Sequence, residues 1–109
     1  MSGNVMIEQK QRREVQSGKL SKIINFLLKK SRDDKKYLDL ICAMLIVIRE
    51  SADIFYDYRT SLIEYEDCFE GIIEIQEGVL VKFEYEKGRM PEEVIWTFID
   101  IDLIKPFLK

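Results

Sequence analysis

Six glutamates, Glu64, Glu66, Glu70, Glu74, Glu84 and Glu86, recur at even spacings in the second half of this 109-residue chain. In extended backbone such spacing puts carboxylates on one face, where neighbours on adjacent strands come close enough to share acid–base work. Alternation alone also makes a solvated sheet face whose charges keep a protein in solution. The rest of the sequence favours that second reading. There is no histidine, which removes the usual general base and a common zinc ligand. The five glycines are isolated, so neither G-x-G-x-x-G nor the P-loop spacing occurs, and the G-x-S-x-G elbow and the D-x-[DN]-x-[DN]-G calcium loop are absent too. The sequence therefore predicts no catalytic residues, no cofactor and no metal site.

A second constellation is basic. Lys19, Lys22, Phe26, Lys29 and Lys30 are separated by threes and fours and share one side of a helix, with Arg12 and Arg13 just upstream. Lysines around an aromatic ring can track phosphates while the ring stacks on a base. Equally, the ring can pack under a neighbouring element while lysine stems lie over apolar surface. No helix-turn-helix or RNP-like aromatic motif accompanies the patch. Charge is nonetheless segregated: residues 1–36 hold ten Lys/Arg and four Asp/Glu, net +6, and the remainder seven and sixteen, net −9. Such asymmetry suits a polyanionic partner, a basic protein surface laid on the acidic sheet, or head-to-tail contact between copies.

The elements that must carry these residues are legible from periodicity. Leu20, Ile23, Ile24, Leu27 and Leu28 form one helical stripe, which predicts a helix over about 19–30 with Ser17 as its N-cap. Ser31 and Asp34 have capping-box spacing ahead of a second helix over about 32–53, on which Leu38, Ile41, Leu45, Ile48, Ala52 and Phe55 make a heptad-like seam. Its middle is apolar all round, so Ala43 and Ile46 become candidate contacts with a second copy. Residues 1–18 have too few apolar anchors to dock and read as a basic segment, marginally helical or disordered.

After residue 55 the period switches to two. Four stretches, YRTSLIEYE, FEGIIEIQ, VLVKFEYE and VIWTFIDI, read as strands within 56–105. Glu77–Gly78 makes a short hairpin, Gly88 a turn, and Pro91 a loop or one turn of helix. The last strand is apolar on both faces, as a central or doubly covered strand should be. The fold class is α+β: one domain over 19–109, two N-terminal helices followed by a four-stranded antiparallel meander able to curl into a small barrel.

The longest apolar run, LICAMLIVI at 40–48, is flanked by Asp39 and Arg49 and falls far short of the about 20 residues a membrane span needs. Residues 1–5 are too short and polar to begin a secretory signal. Cys42 and Cys68 make no disulfide framework or C-x-x-C motif and read as a buried small hydrophobe and a strand residue, consistent with a cytoplasmic protein. The function expected is non-enzymatic: an inhibitor, adaptor or regulator that binds another protein and forms a homo-oligomer. The alternatives are a nucleic-acid-binding accessory protein using the Phe26-centred face, and a small-molecule binder with Trp96 or Tyr65 lining a pocket between sheet and helices.

Overall fold

A computed structural model describes residues 12–53 and 56–101, the first three by backbone alone. The elements in order are β1 (Arg12–Lys19), α1 (Leu20–Ser31), α2 (Lys36–Ser51), β2 (Arg59–Tyr65), β3 (Cys68–Gln76), β4 (Val79–Glu86) and β5 (Ile95–Asp100), with a 3-10 turn at Pro91–Glu93 before β5. The fold is α+β, two helices and an open antiparallel sheet in the order β1-β2-β3-β4-β5. The four expected strands and both helices are present. Three details differ from expectation.

First, the sheet has a fifth strand ahead of the helices. Residues 12–19, read as marginal helix or disorder, pair antiparallel with β2, Val15 opposite Ile63 and Ser17 opposite Ser61. An edge strand needs one partner and one packed face, so long-range pairing overrides the weak local signal. Residues 1–11 lie outside the described part. Second, β5 is not central but an edge strand, and the sheet stays open rather than closing into a barrel.

Third, the helix starts shift. Ser17 is in β1, and α1 is capped from far away: the Asp57 carboxylate accepts from the Ser21 backbone N–H at 2.7 Å and from the Ser21 hydroxyl at 2.8 Å. These hydrogen bonds hold Asp57 below the ordinary aspartate pKa. At α2 the Ser31 hydroxyl donates backward to the Leu28 carbonyl, and it is Asp34 that accepts from the Lys36 N–H at 3.1 Å. A local rule cannot anticipate a cap borrowed from a loop 36 residues away.

The core lies between the helices and one face of the sheet. Leu20, Ile23 and Leu27 of α1 and Leu40, Ile41, Ala43, Met44, Val47 and Ile48 of α2 meet Leu62, Phe69, Ile73, Val81, Phe83 and Tyr85. From the expected stripes, Leu28 and Leu38 remain exposed, and Phe55 lies outside the described residues. Helix α1 packs on β1 and β2, and α2 on β4 and the 3-10 turn.

The hairpin between β3 and β4 sets the register by a parity constraint. Core residues of both strands, Phe69, Gly71 and Ile73 against Val81, Phe83 and Tyr85, are odd-numbered, whereas a two-residue turn at Glu77–Gly78 would pair odd with even. A bulge between Glu74 and Gln76 absorbs the extra residue, and Ile73 pairs with Val81. Gly78 (φ 80°) and Gly88 (φ 89°) take the left-handed conformations these turns require. Gly71 serves a different purpose: the Phe83 ring of its cross-strand partner lies across it, so an added Cβ would come within 2.2 Å of a ring carbon. Gly71→Ala is therefore expected to lower unfolding stability by about 1–3 kcal/mol, read from chemical denaturation. An unchanged midpoint would show that the ring is not seated over residue 71.

Candidate functional site

Among the described residues, no helix covers the second face of the sheet. The register aligns Val15, Ile63, Glu70, Glu84 and Ile95 in one row across the five strands, and Ser17, Ser61, Ile72, Lys82 and Thr97 in the next. The surface is thus mixed: Val15 is 46%, Ile72 39% and Ile95 70% exposed, beside carboxylates. Toward the Glu84 end an open hollow of about 470 Å³ is lined by Asp67, Cys68, Glu84, Glu86, Arg89, Glu93 and Ile95.

Of the acidic candidates, Glu70, Glu74, Glu84 and Glu86 share this open face. Glu74 has Arg59 at 4.0 Å and Glu86 has Arg89 at 3.3 Å. Glu66 sits in the turn between β2 and β3. Glu70 stands directly opposite Glu84, and their carboxylates and the Cys68 thiol lie within 4.8 Å of one another. One thiol and two carboxylates form a donor set that a borderline divalent ion accepts, although alternation leaves similar groups on many acidic sheet faces. Glutamate spacing alone does not single out Cys68; its i, i+2 relation to Glu70 is the available signal.

Glu64 does not belong to that face. It points to the helix side, buried, and accepts from the Tyr37 hydroxyl at 2.9 and 3.1 Å and from the Lys87 ammonium at 2.7 Å. The Lys87 ammonium also lies 5.0 Å from the centre of the Phe69 ring. The network ties the start of α2 and the loop after β4 to β2. Burial pushes the Glu64 carboxyl up, but the hydrogen bonds from Lys87 and Tyr37 and the nearby Lys87 and Lys30 charges outweigh it, leaving the pKa below the ordinary glutamate value.

The basic candidates stand on two consecutive elements, β1 and α1. Lys19 ends β1; Arg12 and Arg13 belong to the same strand by backbone. Lys22 and Lys29 are exposed on α1, but Phe26 packs against the core, and the Lys30 ammonium lies 5.2 Å from both the Phe26 and Tyr37 ring centres. The ring is thus partly buried against the core, with the Lys30 ammonium near it. Ala43, a candidate contact with a second copy, is fully enclosed by its own chain and offers no surface. Ile46 is partly exposed in a shallow hollow with Cys42, Leu45, Arg49, Pro91 and Glu92. Cys42, expected to be buried, is exposed.

Tyr65 follows Ile63 on the open face rather than facing the helices, and Trp96 packs edge-on against Phe98, 5.4 Å between centres. The void between α1 and the sheet, lined by Gln16, Phe26, Leu27, Leu62, Glu64 and Phe69, measures about 10 Å³, room for at most one water.

Compared with protein-family models, curated proteins and solved structures, the chain matches none.

The Glu64 network makes a pH-dependent prediction. A carboxylate held below its unfolded value stabilises the fold above that value, about 4.3, and the contribution is lost as pH falls through the lower folded pKa. Glu64→Gln should lower the unfolding midpoint at neutral pH and converge with the wild type in acid, as pH falls through the lowered folded pKa. Lys87→Met should cost about 1.5–3 kcal/mol at neutral pH. A Glu64→Gln penalty that is constant with pH would mean the carboxylate's charge contributes nothing.

Proposed function

We propose that the protein is a non-enzymatic binding module that acts by protein–protein contact through the open face of its sheet. The observation that supports this is the side of the sheet that no described element covers, where exposed Val15, Ile72 and Ile95 stand among Glu70, Glu84 and Glu86. Apolar side chains left on a sheet face carry the desolvation energy of an interface, and carboxylates beside them select partners by charge. The partner this chemistry fits is a protein surface with apolar groups ringed by lysine or arginine, bound as an inhibitor, adaptor or regulator would bind it.

The test is affinity capture from nuclease-treated lysate at low and moderate salt, comparing the wild type with Ile72→Arg, with Glu84→Lys and with a Lys22→Glu, Lys29→Glu double variant. A defined protein should be retained by the wild type and by the lysine variant. Both open-face variants should reduce its retention about tenfold or more while keeping wild-type stability, as exposed substitutions do. Retention of nucleic acid alone, lost in the lysine variant, would overturn the reading in favour of the α1 face. Retention of a protein unaffected by Ile72→Arg and Glu84→Lys would move the interface elsewhere.

A further inference from the structure

The chemistry that fits the open face, apolar groups ringed by lysine and arginine, is present on the chain itself. Residues 28–38 cover the end of α1, the turn and the start of α2, and read LKKSRDDKKYL, five Lys/Arg against two Asp, net +3. Leu28 and Leu38 at its two ends are each 43% exposed, although leucine is among the residue types most often buried. Asp34 is held by Lys36 at 2.9 Å, whereas Arg32 and Lys35 are exposed and make no ion pair among the described residues.

The hollow at the Glu84 end of the open face has the opposite character. Four carboxylates, Asp67, Glu84, Glu86 and Glu93, line it with one guanidinium, Arg89, net −3, around about 470 Å³. Arg89 is shared between Glu86 and Glu93, at 3.3 and 3.5 Å. Ile95, 70% exposed, adds an apolar wall, and exposed Ile72 stands in the adjoining row.

We propose that a second copy of this chain is a partner of the open face, its α1–α2 turn seated in the hollow so that Arg32 and Lys35 meet the carboxylates and Leu28 and Leu38 meet Ile95 and Ile72. The proposal rests on the open-face reading and names its partner. Opposite net charges of equal size steer encounter and select orientation. What the turn meets is the summed field of the hollow, so the attraction does not require any one carboxylate to be unpaired. Exposed ion pairs alone hold little, and the apolar members on both sides supply the rest. The turn belongs to the helix layer and the hollow opens on the other side of the sheet, so a chain cannot seat its own turn in its own hollow, but two copies can. An eleven-residue segment falls short of the roughly 20–30 residues a side of a standard stable interface. Association is therefore reversible, and exposed charges make it salt-sensitive.

Sedimentation equilibrium on the nuclease-treated full chain in about 0.1 M salt, over about 1–300 µM, should show the mass rising from 13.0 kDa to at least twice that value. Raising the salt to about 1 M, where the screening length falls from about 10 Å to about 3 Å, should weaken association about fivefold or more. An Arg32→Glu, Lys35→Glu double variant and Glu84→Lys should each weaken it about tenfold or more with a wild-type unfolding midpoint, and Lys22→Glu, outside the turn, should leave it unchanged. The deciding measurement mixes the two deficient variants. An equimolar mixture should recover the association that neither shows alone, because the double variant keeps its hollow and Glu84→Lys keeps its turn, and that recovery also shows both to be folded. A constant mass of 13.0 kDa, association indifferent to either charge reversal, association that nuclease treatment removes, or a mixture no better than its components would each overturn the proposal. A constant mass together with capture of a different protein that Glu84→Lys releases would overturn this inference alone and leave the open-face reading standing. Self-association abolished by the turn variant but untouched by Ile72→Arg and Glu84→Lys would overturn both.

Discussion

The structure follows from a mismatch of widths. Five strands at about 4.8 Å span about 24 Å, and two helices packed about 8–10 Å apart cover one face over about 20 Å. Helix α1 takes β1 and β2, α2 reaches β4, and the outer margin at β5 is left over. Among the described elements there is no third helix to complete that layer and no second layer on the other face. What remains apolar and uncovered, Ile72 and Val15 on the open face and Ile95 and Phe98 at the edge, is a consequence of this shortfall. The surfaces to which function is assigned are those the fold cannot bury.

Within the covered layer, the middle is fixed by close packing and the rim by polar ties. The Phe83 ring seats on Gly71, and Phe69 lies between Tyr85, stacked at 6.5 Å, and Tyr37, edge-on at 5.8 Å. Tyr37 then passes from packing to electrostatics, since its hydroxyl reaches Glu64, which Lys87 neutralises. Tyr85 similarly donates to the Arg89 carbonyl and anchors the loop leading to β5. Such buried polar groups add little net stability but penalise any arrangement that separates them. Here they orient α2 and the loop after β4 relative to β2.

The sequence made the fold class readable where the signal is local. The stripe from Leu20 to Leu27, the alternation in VLVKFEYE and the turn glycines Gly78 and Gly88 each follow from residues within a few positions, and each element is present. It was silent where a distant residue decides. Nothing in RREVQSGK announces a strand until β2 offers a partner, and nothing near Ser21 indicates that Asp57 caps its helix. Glu64 was grouped with the solvated acids because it shares their spacing, yet β2 turns even-numbered residues inward where β3 and β4 turn odd-numbered ones inward. Periodicity specifies faces within a strand; only pairing relates the faces of two strands.

That same distinction bears on the two-sided apolar pattern of β5. The Glu74–Gln76 bulge exists because apolar residues of β3 and β4 must share a face, so the chain deforms its backbone to honour the hydrophobic pattern. By the same logic the two-sided apolar pattern of β5 calls for cover on both faces, and on one of them Trp96 packs against the core. Elsewhere in this sheet the pattern prevails over local geometry at the cost of a bulge. Ile95 and Phe98 are the members of that pattern that the described fold leaves most exposed.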